Sequence, residues 1–223
     1  MSPAKAGAAP KASAAEKRRA AAILERLAKA YPDWGPTLKF RNAFELLVAT
    51  ILSAQATDER VNEVTVQLFE RYPTPHHFIR VPQATLERAI KSTGFFRQKA
   101  KAVKACSQGL VEKFGGEVPR DIDALTQLHG VGRKTASVVL GGAYGIPAIA
   151  VDRHVQRVSQ RLGLTKHADP DKIEFDLRAR FQEKDWVQAT WCLILHGRRT
   201  CRPKPECPRC PVNALCPYPN KTK

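Results

Sequence analysis

The sequence predicts an all-α fold, and three observations support that prediction. From Arg41 onward, apolar residues recur at the roughly 3.6-residue spacing of amphipathic helices. No stretch alternates like a half-buried strand, and the only β-like run, IPAIAV at 146–151, is too short and isolated to found a sheet. Short breaks containing glycine or proline separate the periodic segments, as they do between the helices of a bundle.

Start signals mark the first two of these helices. Asn42 with Glu45 resembles a capping box in front of the apolar stripe at 44–52, FELLVATIL. Thr57 is the candidate N-cap of the next helix, and two acidic residues follow it, where the helix dipole favours negative charge. Further helices are predicted at Leu86 to Lys91, Lys99 to Phe114, Asp121 to Leu128, Arg133 to Tyr144, His154 to Leu162, Ile173 to Phe181 and Val187 to His196.

The charge of the chain indicates a polyanionic partner. With 37 Lys and Arg against 21 Asp and Glu the net charge is +16, so nucleic acid is the first candidate, and a basic face that only aids solubility is the alternative. Residues 1–17 are rich in Ala, Lys, Ser and Pro and predict a disordered basic tail, with a transit peptide as the alternative. No membrane span or secretory signal is predicted, so we expect a cytoplasmic protein.

A hairpin with two glycines lies at 128–135, LHGVGRKT, between two predicted helices. Gly130 and Gly132 would let the backbone approach a phosphate at the positive end of the second helix, although a simple turn would use the same residues. Lys134 follows in that helix. If it faces a pocket, the helix N-terminus and Arg133 would lower its pKa and free a nucleophilic amine; the alternative is a lysine that only binds phosphate.

An acidic residue, Asp152, stands where the apolar run 146–151 gives way to a helix. Aspartate is a favoured N-cap at such a position. A carboxylate near a reactive amine could also accept its proton or steady positive charge on a sugar. Both roles are open from the residues alone.

Four of the six cysteines are concentrated in CRPKPECPRCPVNALC, with the spacing C-x5-C-x2-C-x5-C: Cys201, Cys207, Cys210 and Cys216. Thiolates this close together predict a shared ligand, either an iron-sulfur cluster or zinc, with a disulfide pair as the remote option. Arg202, Lys204 and Arg209 would present positive charge from the same loop. Cys106 and Cys192 fall on predicted helices and are expected to be core thiols.

Several of these motifs, in this order, resemble the endonuclease III family of helix-hairpin-helix DNA glycosylases. The resemblance rests on LSAQATD at 52–58, LHGVGRKTASVVL at 128–140, AVDRHVQRV at 150–158 and the segment LILHGRRTC. It implies an enzyme of base excision repair that removes oxidised pyrimidines from duplex DNA and cuts the strand at the abasic site. It also implies a monomer that acts at the nucleoid of a bacterium.

The resemblance implies two helical domains with a DNA cleft between them. One is a six-helix barrel containing the hairpin, at 37–147. The other is an iron-sulfur domain that joins an N-terminal helix at 18–36 to residues 148–223. A [4Fe-4S] cluster on the four clustered cysteines is the implied cofactor.

Individual roles also follow from the resemblance. Lys134 is the implied nucleophile, forming a Schiff base with the sugar, and Asp152 its catalytic partner. Gln55 would fill the space that the flipped nucleotide leaves, and Phe95 takes the place of a leucine wedge in the family. The implied DNA contacts also include His129, Gly130, Val131, Gly132, Arg133, Arg202 and Lys204.

The sequence departs from the family pattern at three places. His129 replaces the usual hairpin proline, and Phe95 the wedge leucine. The first cysteine loop has five residues where six are usual. These changes leave open which lesions are preferred and how the basic loop contacts DNA. They do not affect the expectation that the four cysteines bind the cluster.

Two rival functions remain at the level of the sequence. One is a related glycosylase without lyase activity, such as a mismatch uracil or thymine glycosylase; the adenine-mismatch enzyme would need a further C-terminal domain. The other is a non-catalytic DNA-binding iron-sulfur protein. The presence of both Lys134 and Asp152 argues against this second rival.

Overall fold

The computed structural model describes residues 12–222, and within that range it contains helices, turns and extended segments but no strand. This confirms the all-α prediction. The run at 146–151 forms neither a helix nor a strand. No helix in the described range is long and apolar enough to cross a bilayer.

Eleven α-helices are present in the described residues. They are α1 (Ala14–Ala30), α2 (Ala43–Leu52), α3 (Asp58–Arg71), α4 (Pro75–Arg80), α5 (Gln83–Ala89), α6 (Phe96–Phe114), α7 (Ile122–Thr126), α8 (Arg133–Tyr144), α9 (Arg153–Arg161), α10 (Pro170–Arg180) and α11 (Trp186–Arg199). Single 3-10 turns lie at Lys91–Thr93, Glu183–Asp185, Cys207–Arg209 and Asn213–Leu215.

The chain divides into two compact units. One is the continuous segment Pro36–Ile146, and the other joins the chain up to Gly35 with the chain from Pro147 onward. These divisions lie within one residue of the domain boundaries that the family resemblance implied.

The continuous unit is built around α2. Nearly every residue of this helix is buried, and it packs against α3, α6 and α8. Asn42 caps it by accepting a hydrogen bond from the Glu45 N–H at 3.0 Å. The Glu45 carboxylate accepts from the backbone N–H of Arg41 rather than of Asn42, so the predicted capping box is completed one residue earlier.

The discontinuous unit packs α1 against α10 and α11, and α9 against α11. The guanidinium group of Arg19 on α1 donates to the backbone carbonyls of Leu162, Gly163 and Leu215 at 2.8 to 3.0 Å. A Cβ at Gly197 would lie 2.9 Å from the Cβ of His154, so the close crossing of α9 and α11 requires glycine there. The hydrogen bonds of Arg19 therefore connect the first helix to the cysteine-rich end of the chain.

The predicted disordered tail needs a correction at its C-terminal boundary. Residues 1–11 lie outside the described residues, but α1 begins at Ala14 and not after residue 17. Ser13 caps it, and Glu16 returns a hydrogen bond to the Ser13 N–H at 2.8 Å. This capping box satisfies two donors at the helix start, which explains how an alanine-rich, charged stretch is helical from that point.

Other boundaries differ by a few residues from the sequence prediction. The six-residue helix α4 was not predicted, and α6 begins three residues before the predicted Lys99. Helix α8 spans the predicted residues, Arg133–Tyr144. The continuous unit contains seven α-helices once the short α4 is counted.

Candidate active site and cysteine cluster

The hairpin joins α7 to α8 and is anchored by its two apolar residues. Leu128 and Val131 are buried, and the Val131 N–H donates to the Leu128 carbonyl at 3.1 Å. His129, Gly130 and Gly132 are exposed. The side chain and the N–H of Val131 are therefore both used within the fold, and the DNA contact at Val131 stays a prediction.

The two hairpin glycines meet different constraints. Gly130 has a φ of 77°, and a Cβ there would lie 3.2 Å from the Cβ of Ala102 on α6. Gly132 is the N-cap of α8, with an extended backbone that any residue adopts and no atom within 4 Å of a Cβ built on it. The fold thus requires glycine at 130 but leaves open space at 132.

Lys134 occupies the second position of α8 and is exposed. The helix buries Ala136 to Leu140 in the core of the continuous unit, and it packs against α2 and α7. The lysine therefore lies on a helix that is packed into the core, and the residue itself is exposed. No side chain caps the start of this helix, so its positive end is not occupied by a cap of its own.

Asp152 belongs to the other unit and caps α9. Its Oδ1 accepts from the backbone N–H groups of His154 and Val155, both at 2.8 Å. The sequence left capping and catalysis open, and the capping role is observed. The cap uses one oxygen and does not involve Oδ2, so a second role for the carboxylate is compatible with it.

Gln55 and Phe95 share an unusual backbone conformation. They are the only non-glycine residues with positive φ in the described part of the chain, at 54° and 47°. Both side chains are exposed, that of Phe95 by 58%. Left-handed backbone costs such residues roughly 1–2 kcal/mol, and strain of this kind clusters at functional sites. The family resemblance had singled out the same two residues.

The four clustered cysteines line one pocket, together with Arg161 and His196. Burial, with Cys216, Cys201 and Cys207 nearby, raises the pKa of the Cys210 thiol to about 11. Cys106 and Cys192 lie apart from this pocket in the core, where burial raises the pKa of each to about 12. The prediction that these two are core thiols is confirmed.

The donor set of this pocket consists of four thiols, which both zinc and iron-sulfur sites use as ligands. A tetrahedral zinc site needs four sulfurs about 2.3 Å from a common point. In the described residues no three Cys, His, Asp or Glu side chains are arranged to hold a single metal ion. Four thiols around one pocket are the ligand type that an iron-sulfur cluster requires.

Two arginines on α9, which the sequence analysis did not single out, hold the start of the cysteine segment. Arg157 donates to the carbonyls of Gly197 at 2.8 Å and Cys201 at 3.1 Å. Arg161 donates to the carbonyl of Arg202 at 2.7 Å and to the Sγ of Cys201 at 3.5 Å. Their spacing of four residues on one helix was the available signal.

The loop between the first two cysteines carries exposed positive charge. Arg202 and Lys204 are both exposed, and Arg202 forms an ion pair with Glu206. Because Glu206 partly neutralises Arg202, the positive charge of this loop comes more from Lys204 than from Arg202.

Comparison with known proteins gives a consistent result. Residues 48–183 match the HhH-GPD superfamily of base excision DNA repair proteins. Endonuclease III of Synechocystis is 48% identical over 92% of this chain and 94% of its own. Endonuclease III of Bacillus subtilis is 45% identical over 86% of this chain and 89% of its own.

Solved structures agree with these relatives. A trapped covalent endonuclease III–DNA intermediate is 46% identical, with a TM-score of 0.86, over 91% of this chain and 96% of that one. A thermostable thymine-DNA glycosylase reaches a TM-score of 0.82 at 22% identity, over 92% of this chain and 98% of its own, which shows a shared fold alone. The resemblance stated from the motifs is confirmed: this chain belongs to the endonuclease III family, within the HhH-GPD superfamily of base excision DNA repair proteins.

Proposed function

We propose that the chain is a bifunctional DNA glycosylase and abasic-site lyase that excises oxidised pyrimidines such as thymine glycol. The observation that carries this proposal is the position of Lys134, which is exposed in the first turn of α8. The hairpin directly before it contains Gly132, next to which the structure leaves open space. Family membership supports it, and one relative has been trapped as a covalent complex with DNA. We further propose that it acts as a monomer on the bacterial chromosome.

The hairpin would bind a phosphate of the damaged strand. The positive end of a helix favours an anion, and backbone donors read no base identity. Gly132 leaves the space for a phosphate oxygen to approach, while Gly130 sets the turn. The exposed His129, Arg133 from the helix start and Lys204 from the cysteine loop would add sequence-independent contacts.

Gln55 and Phe95 would support the flipping of the damaged nucleotide. Extruding a base costs a few kcal/mol of stacking and pairing, least for a lesion that already pairs badly. Each residue lies at an exposed turn in a conformation that the surrounding fold must hold. Gln55 would fill the vacated space, and the Phe95 ring would stack as a wedge on the opposite strand.

The chemistry is proposed to run through the Lys134 amine. Its neutral Nζ attacks the sugar C1′, the bond from C1′ to the base breaks, and the base leaves with the bonding electrons and takes up a proton. Asp152 would take the proton that the lysine releases and stabilise positive charge on the sugar. The C1′–O4′ bond of the resulting aminosugar then breaks and O4′ takes up a proton, which leaves a Schiff base between Nζ and C1′. The Schiff base acidifies the C2′ proton, and loss of that proton expels the 3′ phosphate, which cuts the strand.

We propose that Cys201, Cys207, Cys210 and Cys216 bind a [4Fe-4S] cluster. The cluster would fix the fold of the surrounding segment, including the basic loop with Arg202 and Lys204. Arg157 and Arg161 would hold the first ligand in place through the carbonyl and the sulfur of Cys201.

The decisive experiment is borohydride reduction of the protein mixed with duplex DNA that contains one thymine glycol. We expect a covalent complex, and we expect Lys134→Gln to abolish it because no amine remains to form the Schiff base. Lys113→Gln is the matched control, since Lys113 is an exposed lysine in the last turn of α6 and outside the hairpin.

Other outcomes of that experiment separate the rivals. Base release without a trapped complex would identify a monofunctional glycosylase, and binding without release a non-catalytic protein. Trapping that persists in Lys134→Gln would assign the Schiff base to another amine.

The cofactor is tested by the iron content and visible absorbance of protein purified without oxygen. We expect a brown protein with about four iron atoms per chain, the number in a cubane cluster. A colourless protein that carries zinc would contradict the proposed cofactor.

A further inference from the structure

A buried tyrosine and histidine lie directly behind one of the clustered cysteines. The hydroxyl of Tyr31 lies 2.9 Å from the Nδ1 of His196 and 2.9 Å from the Oγ1 of Thr200. The other ring nitrogen of His196, Nε2, lies 3.7 Å from the Sγ of Cys210. Tyr31 is 5% exposed and His196 1%, so water does not compete for these contacts.

His196 also connects the helix to the first cysteine. Its carbonyl accepts hydrogen bonds from the N–H groups of Thr200 at 3.0 Å and Cys201 at 2.7 Å. One residue therefore touches the backbone at one cysteine and the sulfur of another. Neither feature was expected from the sequence.

The ring of His196 is buried, and each of its two ring nitrogens faces one polar side-chain atom. A neutral imidazole has one N–H donor and one acceptor nitrogen. Two arrangements satisfy Tyr31 and Cys210. Either the tyrosine donates to Nδ1 and Nε2–H points at the sulfur, or Nδ1–H donates to the tyrosine oxygen and the sulfur must supply a proton to Nε2.

A metal-bound cysteine removes the second arrangement. Cysteine binds a metal as the thiolate, which has no proton to donate. A lone pair on Nε2 would then face a negatively charged sulfur. Only the tautomer with hydrogen on Nε2 and an acceptor at Nδ1 is compatible with a thiolate, and the Tyr31 hydroxyl is placed to donate to that acceptor.

We propose that His196 donates an N–H hydrogen bond to the Cys210 thiolate of the cluster, and that Tyr31 is a positioning residue that fixes the required tautomer. This inference rests on the proposed [4Fe-4S] cofactor. Thr200 completes this series of hydrogen bonds by donating its hydroxyl hydrogen to the Tyr31 oxygen.

The hydrogen bond has an electrochemical consequence. Reducing a cluster adds negative charge that the ligand sulfurs share, and hydrogen bonds to those sulfurs tune the potential. A donor strengthens most in the electron-rich state, so it raises the reduction potential. The Tyr31 bond to Nδ1 polarises the ring and makes Nε2–H a better donor, since linked hydrogen bonds reinforce one another.

Four variants test the proposal by their cluster content and reduction potential, measured by spectroelectrochemistry. His196→Leu removes the donor at similar bulk, and His196→Gln keeps an amide N–H that can reach the same sulfur. Tyr31→Phe keeps the ring and removes only the hydroxyl. Tyr144→Phe is the control, because it loses a hydroxyl that donates to Val118 in the other unit.

We expect His196→Leu to have the lowest potential, with the redox equilibrium shifted by up to about tenfold, or about 59 mV for one electron. Tyr31→Phe should be shifted in the same direction by less, and His196→Gln and Tyr144→Phe should stay near the wild type. An unchanged potential in His196→Leu would overturn the proposal. If that variant does not retain the cluster, a Tyr31→Phe potential equal to that of the wild type overturns it instead.

The same preparations separate this inference from its premise. A wild-type protein without iron and without visible absorbance would overturn the proposed cofactor. If the wild type contains the cluster and the variants have the same reduction potential as the wild type, only the proposed hydrogen bond is overturned.

Discussion

Gly130 and Gly132 differ in what the fold asks of them, and alanine at each position separates the two demands. Gly130→Ala should lower the free energy of unfolding by about 1–2 kcal/mol, because alanine pays for the left-handed backbone and presses against Ala102. Gly132→Ala should change it by less than about 1 kcal/mol, since only a weaker N-cap is introduced. Urea unfolding measures both.

The affinity of the folded protein for DNA should rank the same two variants in the opposite order, with the larger loss in Gly132→Ala. A methyl group at 132 would occupy the space through which we propose that a phosphate oxygen approaches, so Gly132→Ala should weaken binding to a duplex with an abasic-site analogue by about tenfold or more. Unchanged affinity in Gly132→Ala would show that the phosphate does not approach at this residue.

Relief of strain at Phe95 should improve stability and reduce activity together. Phe95→Gly removes a left-handed phenylalanine, so the free energy of unfolding should equal or exceed that of the wild type by up to about 1 kcal/mol. Excision of thymine glycol should slow, because the wedge is lost. Phe95→Leu is the control that keeps apolar bulk, and it should keep most of the excision rate. Full activity in Phe95→Gly would refute the wedge.

The residue types at the candidate site were visible in the sequence, but their conformations were not. Two glycines before a lysine and four close cysteines are local patterns with direct chemical meaning. The left-handed backbone of Gln55 is imposed by the surrounding fold, because no local propensity favours it there. The contacts of Tyr31 with His196 join residues 165 positions apart, which no short-range pattern reveals.

At the scale of helices, the start of α1 depends on one carboxylate. Glu16 accepts from the Ser13 N–H and from the guanidinium of Arg180 at 2.9 Å. The Ser13 hydrogen bonds, followed by the charge of Arg180, hold the pKa of Glu16 below its usual value of 4.5. A carboxyl whose pKa is lower in the folded state stabilises it above the unfolded pKa.

This link predicts a specific acid dependence. The stabilisation by Glu16 should be present above about pH 4.5 and should be lost as the pH falls through the lower folded pKa. Thermal unfolding of Glu16→Gln and wild type, compared between about pH 6 and about pH 4, should therefore converge toward acid. Glu25→Gln, an exposed substitution on the same helix, should show no such convergence. Parallel curves for Glu16→Gln would contradict the link.

Helices were predictable where apolar spacing and a local boundary signal agreed. The bounds of α8 follow from a glycine before it and a glycine after it. Helix α4 has six residues, too few to show a period, and its stability comes from packing against α6. Helix α1 was placed too late because lysine, arginine and alanine together also suit a disordered tail, and the serine cap outweighs that composition.

For the whole molecule, the net charge of +16 predicts binding that is strongly weakened by salt. Each phosphate that a lysine or arginine neutralises releases counterions, so the logarithm of the affinity should fall linearly with the logarithm of salt concentration. Lys204→Gln should reduce that slope by about one if Lys204 contacts a phosphate. Fluorescence anisotropy over a salt series measures both, and an unchanged slope would remove Lys204 from the interface.

The bonds from Arg19 to Leu162, Gly163 and Leu215 also fix the order in which the protein can fold during synthesis. Helix α1 leaves the ribosome first, but α11, against which it packs, is complete only roughly 170 residues later. At about 5–20 residues per second this is a delay of about 10–30 s. The apolar face of α1 stays uncovered through that interval, while Pro36–Ile146 emerges as a unit that can fold first. We therefore expect nascent chains to be exposed to aggregation through α1 until α11 has been synthesised.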